Sequence, residues 1–295
     1  MQHIPVLLHE SVEGLALTDG NIFVDGTLGS AGHSSLVAER FGDEVEIIGL
    51  DRDADALARS EEKLRTLTHS AFLRQESFRN LDQVLLGLGI KKVDAILLDL
   101  GISSNQLEES GRGFSFQKDE PLSMSMSKDA EGLSAKEILN TWDEEALELI
   151  IRGFGEEKFS RRIAREIVER REVKPFERTF ELVEAIRAAT PAAYHRGKLH
   201  PATRTFQALR IATNEELVAL EEGLVKGFAL LNSGGRFAVI SFHSLEDRIV
   251  KNFFRDRATG GEAKLITKRP IVPTEEEIKA NPRSRSAKLR ILEKL

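Results

Sequence analysis

The chain has 295 residues, 41% of them hydrophobic, enough to bury the core of one large or two modest domains. It has no cysteine, which excludes disulfides, thiolate metal sites and cysteine nucleophiles. The formal charge of −6 is unevenly spread: residues 158–210 carry 13 Lys or Arg against 6 Glu and no Asp, a net of +7 that leaves −13 elsewhere. Such asymmetry suits a polyanion-binding face, although a solvated mixed-charge helix is the plainer account. The first ten residues hold only a five-residue apolar run, and no stretch nears the ~20 apolar residues of a membrane span. A cytoplasmic protein without membrane contact is expected.

Apolar runs and helical patterns alternate from residue 21 to residue 99. Strands are expected at 21–25, 45–50, 71–75 and 93–98, and helices at 32–41, 54–66 and 78–87. This α/β alternation reads as a parallel sheet with helices on both faces. Asp53 is placed to cap the second helix. Residues 103–132, rich in Ser and Gly, are expected to form a long loop. The chain then reads as helical from Ser134 to about Arg187, opening on the capping-box pattern Ser134-Ala-Lys-Glu137 and broken at Lys174-Pro175. Residues 189–203 are again loop. A helix at 205–231, a turn at 232–235, a strand at 236–242, a helix at 245–255 and short strands at 264–267 and 288–292 follow. The simplest organisation is a discontinuous sheet domain, 1–104 and 204–295, interrupted by a mainly helical domain at 105–203.

The chemistry gathers at the expected strand ends. Val24-Asp25-Gly26-Thr27-Leu28-Gly29-Ser30-Ala31-Gly32-His33 joins the first strand to a helix. Its three glycines leave room for a ligand across the strand ends, although a tight connection alone would also account for them. Asp51, 25 residues after Gly26, is placed to take both hydroxyls of a ribose. The same geometry serves NAD, so an oxidoreductase stays open. The chain has one tyrosine, Tyr194, outside the expected sheet, and so lacks the Tyr–Lys pair of many NAD enzymes. Asp99 ends the fourth apolar run and opens Asp99-Leu-Gly-Ile-Ser103-Ser104, where chemistry on a bound substrate would occur. A cap is the plain alternative for it. His243, in Ser241-Phe-His-Ser-Leu-Glu-Asp-Arg248, either faces a ligand or caps the next helix. Lys158, Arg161, Arg162 and Arg165 share one helical face, opposite Phe159, Ile163 and Ile167. Arg196, Lys198 and Arg204 form a second basic stretch, and Arg283-Ser-Arg285 a third. These are the expected phosphate contacts.

With these residues in view, the chain resembles the bacterial 16S ribosomal RNA cytosine-N4 methyltransferases, the MraW/RsmH family. The markers are His3-Ile-Pro-Val-Leu, the glycine turn, Leu98-Asp-Leu-Gly-Ile-Ser-Ser104, Arg112-Gly-Phe-Ser-Phe116, His200-Pro-Ala-Thr-Arg-Thr-Phe-Gln-Ala208, the His243 block and Asn281-Pro-Arg-Ser-Arg-Ser286. The resemblance implies a class I methyltransferase: a Rossmann-like sheet with an inserted helical domain. It implies S-adenosyl-L-methionine as methyl donor, held by Ala31, Gly32, His33, Asp51, Phe78, Asp99 and Gln106, with no metal. The implied substrate is a cytidine of the decoding region of 16S rRNA in the small ribosomal subunit. Asp99, Ser103, Ser104 and His243 are the candidates for accepting a proton from the cytosine amine. Monomer and homodimer both stay open.

Two departures stand out. Asp99-Leu-Gly-Ile replaces the Asn/Asp-Pro-Pro-aromatic motif of many amino methyltransferases, so base stacking there cannot be carried over. Pro121-Leu-Ser-Met-Ser-Met-Ser127 stands where the family reads Pro-Leu-Asp-Met-Arg-Met-Asp. An active enzyme with altered RNA affinity is expected. A catalytically impaired RNA-binding or ribosome assembly factor is the alternative. Met124 and Met126 are expected to pack the loop.

Overall fold

The computed structural model describes residues 4–102, 107, 110–126 and 132–295. The chain packs as two units, Met1–Gly101 with Leu217–Leu295, and Ile102–Glu216.

The first unit is built on a seven-stranded sheet. Its strands are β1 (Ile22–Asp25), β2 (Glu46–Asp51), β3 (Ala71–Gln75), β4 (Val93–Asp99), β5 (Leu231–Ser241), β6 (Ala263–Leu265) and β7 (Lys288–Lys294), in the order β3-β2-β1-β4-β5-β7-β6. β1 to β5 run parallel, and β7 runs antiparallel to both β5 and β6. The expected parallel sheet is therefore mixed at one edge, because an apolar run carries no sign of its direction. Alternate residues of β4 divide between two cores, as the two-residue period of a strand requires. Ala95 and Leu97 pack with helices α1 (Leu8–Gly14), α2 (Gly32–Phe41) and α3 (Ala54–Arg65). Ile96 and Leu98 pack with α4 (Leu81–Gly87), α10 (Glu216–Leu230) and α11 (Ser244–Thr259). Both faces are covered, which is why β4 reads as one apolar run. A short helix, α12 (Glu275–Ala280), and α1 were not anticipated from the sequence.

The second unit is helical: α5 (Ala135–Thr141), α6 (Glu144–Gly153), α7 (Ser160–Val173), α8 (Thr179–Ala189) and α9 (Thr203–Asn214). They share a core that includes Ile138, Leu147, Ile151, Ile163, Ile167, Leu182, Ile186 and Leu209. Ser134 Oγ accepts from Glu137 N–H at 3.1 Å, and Asp143 caps α6 through Ala146 N–H at 2.7 Å. The single helix expected at 205–231 is two helices. Glu215, at φ 50°, breaks it in the left-handed region. Arg210 donates to Glu216 at 2.8 Å through two nitrogens and clamps the break. Since neither Gly nor Pro marks this break, the periodicity runs through it unseen. Phe206 and Leu209 of α9 lie in the helical core, so residues 204–216 pack with the helices rather than with the sheet.

The expected long loop is partly tethered. Within its described residues, Met124 is fully buried and Met126 packs on the same helical core. Asn214 brackets the segment, donating to Met124 O at 2.8 Å and accepting from Met126 N–H at 2.9 Å. Arg112 donates to Ser125 O at 3.1 Å and Met126 O at 2.8 Å. Ser125 itself is buried, and Ser127 lies outside the described residues. Among the described residues no helix is long and apolar enough to cross a membrane.

Candidate active site

β1 and β4 are neighbours, yet the chain leaves them toward opposite edges of the sheet. A crevice therefore opens beyond their carboxyl ends, the usual ligand position in such sheets. Asp25 ends β1 and Asp99 ends β4, with Asp51 at the end of β2. The glycine turn follows directly, and Gly26 N–H still donates to Leu97 O at 2.9 Å.

The three glycines have separate reasons, none of them read from spacing. A Cβ at Gly26 would meet Leu98 at 2.5 Å, and one at Gly32 would meet Pro5 at 2.1 Å. These two are needed for close packing within the chain. Gly29 is in the left-handed region, at φ +53°. Ala31 is left-handed too, at φ 53°, and its N–H is committed to Leu28 O at 2.7 Å. As the N-cap of α2 it makes no side-chain capping bond. A helix start of this kind suits a carboxylate or phosphate.

Asp51 does more than end a strand. Its Oδ2 accepts from Gly29 N–H at 2.8 Å and its Oδ1 from Asp53 N–H at 2.8 Å. It thus clamps the glycine turn to the start of α3, where Asp53 caps Asp55 N–H as expected. Burial raises its pKa above the usual carboxylate value despite these two donors and a third from Arg52 N–H. Ser60 of α3 donates to Gly29 O at 2.8 Å and holds the turn from its other side.

Asp99 is the least satisfied acid of the crevice. Its backbone N–H donates to Thr27 Oγ at 2.6 Å. Its side chain is 20% exposed, but Oδ1 is buried and has no hydrogen-bond partner among the described residues. His33 Nδ1 stands 4.0 Å from Oδ2, while His33 Nε2 lies 3.1 Å from Val6 O. A carbonyl only accepts, so Nε2 donates to it, and Nδ1 is the nitrogen that faces Asp99. Burial, with Asp25 and Glu246 nearby, raises the Asp99 pKa well above the usual carboxylate range.

Asp25 is only 1% exposed and accepts from Ser34 Oγ at 2.7 Å and Thr27 N–H at 3.2 Å. Burial pushes its pKa up to about 6 from an ordinary 3.8. The folded protein thus binds more protons than the unfolded chain between about pH 4 and 6, and stability falls as pH rises through that window. Asp25→Asn removes the titration. Measured against the wild type by denaturation, the variant should gain about 3 kcal/mol in relative stability between pH 4 and pH 7. An unchanged difference would show that Asp25 titrates normally.

Phe78 opens the turn after β3 and is locked by two glycines. A Cβ at Gly26 would lie 3.0 Å from its Cβ, and one at Gly223 of α10 only 2.6 Å from its ring. His243 is the N-cap of α11, its Nδ1 accepting from Glu246 N–H at 3.4 Å, while Glu246 Oε2 accepts from the Phe242 and His243 N–H groups at 2.8 and 3.2 Å. His3, Ser103, Ser104 and Gln106 lie outside the described residues. Sequence reasoning missed Thr27, Asp25, Glu246 and Gly223. Asp25 and Thr27, inside the glycine turn, and Glu246, three residues after His243 as a capping box requires, carried a local signal.

In the helical unit, Lys158 Nζ lies 5.0 Å from the Phe159 ring centroid and 5.1 Å from that of Tyr194. Arg204 donates to Glu156 O at 3.0 Å and stands beside Tyr194. Tyr194 thus brings Lys158 and Arg204 together, and Arg196 follows it in the same short turn. Lys198 lies exposed two residues further on. The Tyr194 hydroxyl donates to Glu157, which is 1% exposed, and burial with that bond pushes the phenol up to about 12. Tyr194→Phe leaves a buried carboxylate oxygen short of a donor. It should cost about 1–3 kcal/mol in thermal or denaturant unfolding. No loss would mean that water replaces the phenol.

The chain belongs to the MraW methylase family, whose model matches residues 1–295. A Brevibacillus brevis protein named ribosomal RNA small subunit methyltransferase H is 47% identical over 308 residues, covering 99% of this chain and 98% of its own. Proteins of the same name from Heliobacterium modesticaldum and Geobacter sp. strain M21 are 47% and 46% identical, each over 99% of this chain and 98% of their own. Among solved structures, an rRNA methylase from Streptococcus thermophilus matches 100% of this chain and 99% of its own at 14% identity, with a TM-score of 0.47.

Proposed function

We propose that this chain transfers a methyl group from S-adenosyl-L-methionine to N4 of a cytidine in the decoding region of 16S rRNA, in the small ribosomal subunit and in the cytoplasm. Its family and the name shared by its relatives support an rRNA methyltransferase and set the oxidoreductase aside. The observation that carries the reading is Asp99 Oδ1, buried and without a partner among the described residues, in a crevice whose turn Asp51 holds. An orphaned buried acceptor beside a clamped turn fits a cationic nucleoside donor.

The donor supplies an electrophilic methyl carbon on a good leaving group. The residues mainly align the reactants. Asp51 takes the ribose hydroxyls. Ala31, Gly32 and His33 flank the methionine end at the start of α2, and Phe78, wedged at Gly223, lies toward the adenine. Asp99 accepts a hydrogen bond from the cytosine amine, localises its lone pair, and takes the proton released when N4 bonds to the methyl carbon. His243 acts through its cap on α11, holding Glu246 near Asp99. The target base leaves its stack to reach the site. Lys158, Arg161, Arg162, Arg165, Arg196, Lys198 and Arg204 of the helical unit contact RNA phosphates.

Labelled donor, the full chain and small subunits lacking the modification test this, with product nucleosides read by mass spectrometry. N4-methylcytidine is expected. No transfer with donor binding intact would favour an impaired assembly factor, the reading motivated by Ser123, Ser125 and Ser127. Against it, Ser123 and Ser125 belong to the helical unit, while the sheet-end carboxylates are all present.

A further inference from the structure

The basic residues of the helical unit are not equivalent. A groove of about 420 Å³ runs between α7 and α8, walled by Arg161, Arg162, Arg165, Glu166 and Glu169 and kept open by Ala188 and Ala189. Its volume lies within the ~300–1,000 Å³ of small-ligand clefts, enough for a nucleotide.

The two halves of α7 use their cations differently. In the second half, Arg170 donates to Glu166 at 2.7 Å, Arg171 donates to Leu139 O at 2.8 Å and Trp142 O at 2.6 Å, and Lys174, just past the helix, pairs with Glu181. In the first half, Arg161 and Arg162 have no carboxylate partner among the described residues. Arg165 has only a 3.7 Å approach to Glu144, with both side chains more than a third exposed. Since Glu166 is matched by Arg170, the groove is left with three arginines against Glu169.

This arrangement is unfavourable for the helix by itself. Arg161 and Arg162 sit in its first turn, which holds no acid, where cations oppose the helix dipole. Arg161 and Arg165 are like charges four residues apart. The N-cap Phe159 provides no side-chain acceptor. A bound anion offsets the like-charge and dipole penalties, because the guanidinium groups then share one ligand of opposite charge. Local choices that disfavour the element itself are expected at functional sites.

We infer that the α7–α8 groove is a phosphodiester subsite for the RNA strand, with Arg161, Arg162 and Arg165 as the phosphate ligands. The inference rests on the RNA-methylating reading above and assigns one part of its RNA surface.

The test is binding of the full chain to 16S rRNA transcribed in vitro, titrated between 50 and 200 mM KCl, roughly the range over which phosphate contacts show as salt dependence. Each lost phosphate contact removes about 0.7 from the slope of log K against log salt for single-stranded RNA. Arg161→Gln/Arg162→Gln/Arg165→Gln should flatten the slope by about 2 and weaken binding by about 10- to 100-fold at 0.1 M salt. Affinity for S-adenosyl-L-methionine should not change, which shows that the variant is folded. If the triple variant fails to fold, Arg161→Gln and Arg165→Gln alone should each flatten the slope by about 0.7. Lys136→Gln, whose lysine pairs with Glu177 on the same unit, should leave the slope alone.

A triple variant that binds the donor normally and keeps the wild-type slope overturns the groove assignment and leaves the RNA reading standing. A wild-type protein without salt-dependent RNA binding overturns both. Thermal stabilisation by inorganic phosphate that the triple variant loses, with its RNA slope unchanged, assigns the groove to a free anion and overturns the RNA ligand.

Discussion

Asp99→Asn should lower turnover at saturating S-adenosyl-L-methionine by about 10²- to 10⁴-fold, the usual contribution of a positioned proton acceptor. The substitution keeps the shape of the side chain and its Thr27-anchored backbone, but an amide cannot take the proton that N4 must lose. The pH profile should separate this from a packing defect. Asp99 works as the carboxylate, and burial first, then the acids that face it, keep it protonated to higher pH than usual. Asp25 comes from β1 and Glu246 from α11, and His33 Nδ1 of α2 stands 4.0 Å from Oδ2. The direction follows. Wild-type turnover should rise with pH through a limb above the ordinary carboxylate range, and that limb should disappear in the variant. Donor affinity should weaken on the acid side as well, because a protonated Asp99 no longer attracts a cation. Measuring kcat against pH for both proteins decides the point. An Asn variant with wild-type kcat at saturating donor would remove Asp99 as the acceptor.

Asp51→Ala should act on binding instead. Two hydrogen bonds from ribose hydroxyls to a carboxylate are worth about 1.5–3 kcal/mol each, so the Kd for the donor should rise about 100-fold or more. The substitution also frees Gly29 and Asp53 N–H, the two ends of the clamp, and the melting temperature should fall with it. At saturating donor, kcat should change far less than Kd, the reverse of the Asp99 pattern. Asp51→Asn should fall between, since an amide offers one accepting oxygen where the carboxylate offers two. Calorimetric titration of the three proteins provides the comparison. An unchanged Kd in the alanine variant would place the ribose elsewhere.

Both residues stand at strand ends, and that much was legible without coordinates. A buried parallel strand is a plain apolar run, and a carboxylate where it stops marks its carboxyl end. The glycine turn was legible as a turn but not in its reasons. Spacing suggested room for a ligand at Gly26 and Gly32, whereas the space is filled by Leu98 and Pro5 of the chain itself. Pro5 lies 27 residues away in sequence, and no local pattern encodes such a contact. His243 shows the same limit. The sequence allowed a ligand contact or a cap, and only its bond with Glu246 N–H shows the cap.

Composition, run lengths and motif order by themselves determined the α/β class, the helical insertion, the strand-end acids and the family resemblance, because each depends on local periodicity or on residue identity. Tertiary structure alone decided the direction of β7, the break at Glu215 and the placing of α9 in the helical unit. It also decided the crowding of Asp25, Asp99 and Glu246, and which α7 cations meet a carboxylate or carbonyl among the described residues and which, Arg161 and Arg162, do not. The physical reason is common to all of these. Strand direction, buried charge and ion pairing depend on which distant segments meet, and the periodicity of a segment says which face is buried but not what it is buried against.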